Sequence, residues 1–505
     1  MRIRTTLMLA AILTAHVYGA DLYVAQNGSD ANSGTEALPF KTIQKGCDGA
    51  LPGATVFIKA GTYNERIALN VSGSAEGGFI TIRNFGTDAV ILDGAGLAAP
   101  IGTSAMVSIE NKSFVRIQGL EIANYQTAEP KRVVAGIFTT GSGSHLELRN
   151  NHVHHIQNNA PVNKKKLGRD AFGIAFYGTD GSDSMNHIVV SGNTVDNCRL
   201  GSSESLTLNG NVDTFEISGN TVHDNDNIGI VMIGWEGTAP ANDQARNGVV
   251  RNNIVYNIHS AGNPAYGKES SAAGIYVDGA RDIVIERNMS YSNDFGLEVG
   301  CEHVKKTASG ILIRDNIFHG NTITGMSFGG YDLKRGTTIN CQFRNNTLIR
   351  NDTSHSGTGE ISIQVANGNI LENNLVYCGT QNLFVSNEFS AKASFNNTFD
   401  YNLYFGPDGA AGSIWGWNKK SHDGFDAYKK ASSQDAHSLF ADPLLVNPAG
   451  QADLHLAPGS PAIDAGNPAF APAAGEIDLD GNPRVIGARV DIGAYEFQAG
   501  ALKKN

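Results

Sequence analysis

The segments IVIERNMSYSN (residues 283–293), ILIRDNIFHGN (311–321) and CQFRNNTLIRN (341–351) repeat one pattern. Each has an alternating apolar triplet, a polar pair, an asparagine, a second short apolar run and another asparagine. The first asparagine of the pattern recurs along the chain with shortest spacings of 27 to 28 residues, at Asn151, Asn193, Asn220, Asn253, Asn288, Asn316, Asn346 and Asn374. A fixed period of this length is typical of a solenoid.

Each repeat also contains a further short strand that opens on glycine: GIFTTG, GIAFYG, GIVMIG, GIYVDG, GLEVGC and GMSFGG. Three short strands per repeat, joined by tight corners, predict the coil of a single-stranded right-handed parallel β-helix. Neighbouring coils would then pair through parallel ladders ~4.8 Å apart. An asparagine at a corner tolerates left-handed backbone angles, and its amide can bond the asparagine one coil away. A propeller would need blades of ~40–45 residues, and that period is missing.

The repeats therefore predict one elongated all-β domain over residues 21–441. We expect a short helix near residues 42–50 to cap the first coil, because exposed sheet edges need cover. From residue 442 the repeats stop. The Pro/Gly-rich segment 442–505 is expected to pack along the β-helix or to close its other end.

The first twenty residues, MRIRTTLMLAAILTAHVYGA, combine two arginines, a short apolar core and small residues at the end. This pattern predicts a secretory signal peptide and a secreted protein, periplasmic or extracellular. No later segment reaches ~18 uninterrupted apolar residues, so no membrane span is expected. The net charge of −11 without a basic stripe excludes nucleic acid as a partner. Five scattered cysteines without a CxxC pair predict neither a disulfide framework nor a zinc site.

Carboxylates stand out in two strands that are one repeat apart, GIYVDG (274–279) and GLEVGCE (296–302). Because side chains alternate along a strand, Tyr276 and Asp278 should face outward, as should Glu298 and Glu302. Aligning the strands places Asp278 beside Gly300 and Glu298 beside Tyr276, so that Asp278 and Glu298 become diagonal neighbours ~7–8 Å apart.

Like charges at this range raise one pKa, which leaves a proton donor beside an ionised carboxylate. Glycoside hydrolysis uses that combination, and it makes Asp278, Glu298 and Glu302 the candidate catalytic residues. Solvated acids without a function, or a cation site, are the alternatives.

Neighbouring coils contribute aromatic and polar residues that suit sugar rings, which offer an apolar face and hydroxyl groups. The candidate substrate-binding residues are Trp235, Glu236, Tyr276, His303, Tyr331, Asp332, Lys334 and Arg335. Long insertions at residues 157–171 and 259–273 should roof this face. We expect one outer groove that holds Trp235, Asp278, Glu298 and Tyr331, with a polysaccharide or oligosaccharide as ligand and no resident metal or cofactor.

The segments GIYVDG, IVIERN and GLEVGCEH, with the tail motif DIGAYEF, resemble those of secreted bacterial right-handed β-helix proteins that act on carbohydrates. Within the broad pectate-lyase-like group, they are most similar to the β-helix glycoside hydrolases that include the β-xylosidases of family 120. The resemblance implies an Asp nucleophile at Asp278 and a Glu acid/base at Glu298 or Glu302. These two roles correspond to a retaining mechanism of glycoside hydrolysis. The chain lacks the inserted β-sandwich of the xylosidases, so the resemblance does not identify the sugar of the substrate.

Two other classes remain. A polysaccharide lyase on the same fold would use Lys268, Lys305 or Lys334 as its base, with Asp278, Glu298 and Glu302 holding Ca²⁺ through their oxygens. A non-catalytic carbohydrate-binding surface protein is the third class. Fold alone does not separate the three classes.

Overall fold

The computed structural model describes residues 19–161, 169–449 and 453–498. Three long sheets run the length of the molecule, and the chain visits them in the fixed order sheet 1, sheet 3, sheet 2 in every coil. Nearly all pairings within them are parallel and join one coil to the next. The right-handed parallel β-helix predicted from the repeats is confirmed. Residues 1–18 of the predicted signal peptide and residues 162–168 of the first insertion lie outside the described residues.

The strands of the three sheets are short, as three-sided coils require. Sheet 1 contains Leu22–Val24, Thr55–Ile58, Ile80–Asn84, Val115–Gln118, Gly143–Arg149, Met185–Ser191, Val212–Ser218, Arg246–Arg251, Arg281–Glu286, Leu312–Arg314, Gln342–Arg344, Ile370–Glu372 and Thr398–Asp400, with the side branch Thr307–Ser309, Thr337–Ile339 and Ala366–Asn367. Sheet 2 contains Ile67–Leu69, Gly102–Glu110, Arg132–Gly141, Ala171–Gly178, Leu206–Gly210, Ile230–Ile233, Ala273–Asp278, Phe295–Gly300, Thr324–Phe328, Ile361–Ile363, Leu383–Asn387, Ile414–Trp417 and Lys420–Asp423. Sheet 3 contains Gly61–Tyr63, Val90–Asp93, Glu121–Ala123, His152–His154, Thr194–Asp196, Thr221–Asn225, Ile254–Ile258, Met289–Tyr291, Ile317–His319, Thr347–Ile349, Leu375–Tyr377, Leu403–Phe405 and Leu439–Phe440. Two pairs stand apart: Gln126–Thr127 with Gln157–Asn158, and Leu445–Asn447 with Asp453–Leu456.

The repeated asparagines form a buried ladder at one corner of the coil. The Asn288 side-chain amide donates to Asn316 Oδ1 at 3.0 Å, and Asn288 Oδ1 accepts from both the backbone and the side chain of Asn253. The same pattern joins Asn316 to Asn346, as predicted. One expectation was wrong in detail. The left-handed backbone angle falls on the residue before the ladder asparagine, as at Arg287 with φ 53°, and not on the asparagine itself.

The interior of the coils is one continuous apolar core. It extends from Val24 at the first coil to Tyr428 near the last, and alternate strand residues such as Ile275 and Val277 point into it. The five cysteines are free and buried, as small core residues. Among the described residues, no helix has the length and apolar character that crossing a membrane requires.

Both ends of the core are covered. The helix Ile43–Gly49 lies over the first coil, starts at the N-cap Thr42 and buries Ile43 and Cys47, which matches the predicted helix. At the other end, the helix Phe425–Ser432 covers the last coils and Tyr428 stacks on Trp415 at 4.3 Å. A further single-turn helix spans Gly409–Gly412.

The C-terminal segment folds back along the outside of the β-helix. Arg484, fully buried, pairs with Asp315 at 3.2 Å and with Glu496 at 3.0 Å. Further along, the backbone N–H of Ala494 donates to the Thr347 hydroxyl at 2.9 Å. The described part of this segment therefore packs on the side of the coils, while the helix Phe425–Ser432 closes the end.

Candidate active site

The outer face of sheet 2 carries the predicted carboxylates. The register places Tyr276 opposite Glu298 and Asp278 opposite Gly300, which is the pairing predicted from the two sequences. The next coil places Ser327 opposite Glu298. This outward row therefore runs through Tyr276, Glu298 and Ser327, one residue from each coil.

Outward direction does not mean exposure here. Tyr276 is only 6% exposed and Asp278 only 4% exposed. Tyr266, Glu269 and Ser271 of the segment 259–273 line a cavity together with Tyr276, so this segment lies over that strand. Asp294 fixes both ends of that segment, since its Oδ2 accepts from the backbone N–H of Ser260 at 2.9 Å and of Ala272 at 3.1 Å. The roof predicted from the second insertion is therefore anchored on the sheet.

A groove of about 360 Å³ opens between this segment and the sheet. Its lining combines four aromatic rings with three carboxyl groups. The lining residues are Ile228, Tyr266, Glu269, Ser270, Ser271, Tyr276, Phe295, Glu298, Glu302, Tyr331 and Gln364. Aromatic faces next to polar groups form the kind of surface on which sugar rings pack.

Two carboxyl groups in this region have perturbed acidity. Burial and the nearby charge of Glu302 raise the pKa of Glu298 to about 8. Burial, and after it the charge of Glu302, raises the pKa of Asp278 well above its usual range. The charge that acts on Glu298 comes from Glu302, and Glu298 in turn contributes to the raised pKa of Asp278.

Glu302 lies in the loop that follows the strand, because the strand ends at Gly300. Its backbone N–H donates to Asp278 Oδ1 at 2.8 Å, and its carboxylate lies 3.5 Å from the Tyr276 hydroxyl. The Glu302 side chain is 43% exposed and its Oε2 lies 3.9 Å from Arg335. Glu302 therefore reaches solvent in the groove while Asp278 stays beneath it.

The other predicted binding residues divide between the groove and its surroundings. Tyr331 lines the groove, with the Arg335 guanidinium 4.5 Å from its ring centre. Trp235 is not among the lining residues, which corrects the predicted groove. Its indole N–H donates to the Thr307 carbonyl at 3.2 Å and the Lys306 ammonium lies 4.1 Å from the ring.

The polar residues of the turn after Tyr331 face solvent or each other. Asp332 Oδ1 accepts from the backbone N–H of Lys334 at 2.6 Å. The three lysines considered as a base, Lys268, Lys305 and Lys334, are exposed, and none of them is among the residues that line the groove.

Glu236, Asp278 and His303 form a separate cluster. One potential ligand atom from each lies within 4.8 Å of the others. Glu236 also accepts from the Asn209 amide at 2.7 Å. Two carboxylates and an imidazole are a poor donor set for Ca²⁺, which prefers six to eight oxygens, and imidazole suits transition metals better.

Sequence reasoning missed several groove residues. Tyr266, Glu269 and Ser271 come from the insertion 259–273, whose length had marked it as a roof without indicating which side chains point down. Phe295 and Gln364 occupy strand ends. Gln364 lies two residues beyond Ser362, the next member of the outward row, and could have been found by extending that row. Phe295 lies three residues before Glu298, so strand alternation would have assigned it to the other face.

Comparison with known proteins agrees with this architecture. A family profile described as "Pel9A-like, right handed beta helix region" matches residues 22–199, and one described as "Right handed beta helix region" matches residues 243–423. The chain is 40% identical over 466 residues to the uncharacterized protein YwoF of Bacillus subtilis, which covers 90% of this chain and 97% of that protein.

Two further similarities involve pectate lyases. Pectate lyase PEL9 of Emericella nidulans is 30% identical over 152 residues, which are 29% of this chain and 37% of that protein. The crystal structure of pectate lyase Pel9A superposes with a TM-score of 0.50 at 14% identity, over 95% of this chain and 97% of that one. At this identity the structural likeness concerns the fold.

Proposed function

This chain belongs to the same family of right-handed β-helix proteins as YwoF of Bacillus subtilis, and we propose that it is a secreted carbohydrate-cleaving enzyme, a glycoside hydrolase. The observation that carries the proposal is a pair of carboxyl groups, Glu298 and Glu302, in one aromatic-lined groove. Glycoside hydrolysis needs a carboxylic acid to protonate the leaving oxygen and a carboxylate to attack the sugar or activate water.

Glu298 is the proton donor in this proposal. With a pKa of about 8 it keeps its proton at neutral pH, and it lies on the floor of the groove. An acid whose pKa lies near the working pH is the most effective general acid.

Glu302 supplies the second carboxyl group. It lines the groove, its side chain is exposed, and Arg335 lies 3.9 Å away as a compensating positive charge. Asp278, the nucleophile implied by the resemblance to family 120, is 4% exposed and bonded to the Glu302 backbone. We assign Asp278 to positioning the loop that carries Glu302.

The competing reaction is β-elimination by a polysaccharide lyase. The Pel9A-like profile over residues 22–199 and the cluster of Glu236, Asp278 and His303 favour it. Against it stand the donor set, which suits Ca²⁺ poorly, and a groove lining without lysine or arginine. Ca²⁺ would be the cofactor of this alternative.

The deciding experiment incubates the protein with a panel of neutral, acidic and amino-containing oligosaccharides, with and without a chelator. Saturated products with new reducing ends that form in chelator support hydrolysis. Unsaturated products, seen by ultraviolet absorbance and lost with chelator, would establish the lyase. Binding without any product would place the chain in the non-catalytic class.

Variants then test the two roles. Glu298→Ala should lose turnover and regain it with added azide if a glycosyl-enzyme forms, because a small anion can attack that intermediate without base help. Glu302→Gln should not be rescued by azide. If azide rescues neither variant, an inverting mechanism replaces the retaining one.

A further inference from the structure

Three of the eleven residues that line the groove are glutamates. They are Glu269, Glu298 and Glu302, and among the lining residues there is no lysine or arginine. Asp278 and Glu236 are not among the lining residues, and their carboxylate oxygens lie within 4.8 Å of each other. A cleft with charges of one sign concentrates ligands of the opposite sign.

The nearest cations of the described chain are already engaged. Arg335 faces the carboxylates of Glu302 at 3.9 Å and Asp332 at 4.0 Å. Lys306 lies over the Trp235 ring, outside the groove lining. Arg335 therefore compensates part of the charge of Glu302, whereas Glu269 makes no ion pair with the described residues, and a positively charged ligand would supply that missing partner.

A second observation concerns polar atoms that lack partners. Ser327, 0% exposed, follows Glu298 in the outward row of the sheet, and its hydroxyl makes no hydrogen bond to the described residues. Gln364 lines the groove, and its buried Oε1 likewise has no donor within the described chain. Buried polar atoms without partners are costly, and because Gln364 lines the groove, its Oε1 indicates a ligand that supplies a hydrogen-bond donor, whereas Ser327 lies beneath the lining.

We propose that the groove binds a polysaccharide that carries free amino groups, such as a de-N-acetylated hexosamine polymer. Ammonium groups would pair with Glu269 and Glu302 and would donate to Gln364 Oε1. The faces of Tyr266, Tyr276 and Tyr331 suit the same ligand, because aromatic rings attract both sugar faces and cations. This inference rests on the proposed function, since it names the substrate class of the same groove.

The test is a binding titration in chelator that compares a glucosamine hexamer with the matched N-acetylglucosamine hexamer. Both have the same backbone and differ only in charge and acetyl groups. The amino hexamer should bind at least ~10-fold more tightly at low salt, and the difference should shrink at high salt because salt screens partly exposed charges. Polygalacturonate, with and without Ca²⁺, is the third probe.

Charge reversal locates the effect. Glu269→Lys should weaken binding of the amino hexamer at least ~5-fold, because it places a like charge in the groove. Glu76→Lys, an exposed glutamate near the first coils and outside the groove lining, is the matched control and should change nothing. If Glu269→Lys disturbs the fold of the segment 259–273, the milder substitution Glu269→Gln replaces it. Glu269→Gln should also weaken binding of the amino hexamer.

The outcomes separate the inference from the function. Equal affinity for the two hexamers, or tighter binding of polygalacturonate in chelator, would overturn the inference even if a neutral oligosaccharide is cleaved. Tight binding of the amino hexamer that Glu269→Lys weakens, without cleavage, would support the inference and contradict the proposed hydrolase.

Discussion

Glu298→Gln should stabilise the protein at alkaline pH while it removes activity. Glutamine has nearly the shape of the protonated acid, but it cannot ionise or donate the proton that cleavage needs. The carboxyl group of Glu298 has its pKa raised from 4.5 to about 8 by burial and by Glu302. The folded state therefore disfavours ionisation of Glu298, which costs free energy at alkaline pH. Glutamine cannot ionise, so the substitution removes this cost.

The size and sign follow from proton linkage. Between pH 4.5 and about 8 the folded protein keeps the proton that the unfolded chain has lost, so the folded state loses stability as pH rises. A shift of this size corresponds to at most about 5 kcal/mol, at about 1.4 kcal/mol per pH unit. The wild type bears this cost fully above pH 8 and not below pH 4.5.

The assay is urea unfolding of wild type and Glu298→Gln at a series of pH values. The difference in unfolding free energy should be near zero at pH 4 and grow to several kcal/mol at pH 9. Exposed Glu76→Gln is the control and should give no such trend. A difference that does not vary with pH would refute the raised pKa and with it the role of Glu298 as the proton donor.

Three other expectations follow from the same structure. Asn288→Ala removes four buried side-chain hydrogen bonds and should lower the free energy of unfolding by about 2–6 kcal/mol in urea, whereas exposed Asn27→Ala should change it little. Glu302→Gln should lower turnover at least ~10²-fold, whereas Asp278→Asn should keep measurable turnover, as kinetics on the cleaved oligosaccharide will show; the reverse order would restore Asp278 as the nucleophile. Arg484→Met removes the ion pairs that Arg484 makes with the buried carboxylates of Asp315 and Glu496 and should cost about 3–5 kcal/mol, and limited proteolysis should then release the C-terminal segment; an unchanged digest would contradict that segment's anchoring.

The repeats made the coils predictable because each carries the same local signals. The period placed Asn253, Asn288 and Asn316 in one ladder, and strand alternation with a glycine alignment placed Glu298 opposite Tyr276. These are nearest-neighbour relations, and in a solenoid such relations largely determine the fold.

The site was less predictable because it depends on segments that do not repeat. The strand ends at Gly300 and leaves Glu302 in the loop that follows it, from where its charge acts on Glu298. The insertion 259–273 brought Tyr266 and Glu269 over the sheet. Neither effect follows from period or alternation, since both depend on how an irregular segment crosses several coils.

The folded-back C-terminal segment has a consequence for how the molecule comes apart. A stack of coils with free ends unfolds from those ends, one coil at a time, because each coil contacts only its neighbours. This segment touches three successive coils, at Asp315, Thr347 and Asn373. Those three coils can separate only after the C-terminal segment that crosses them has detached. The lifetime of the folded C-terminal half is therefore set by the rate at which this segment detaches.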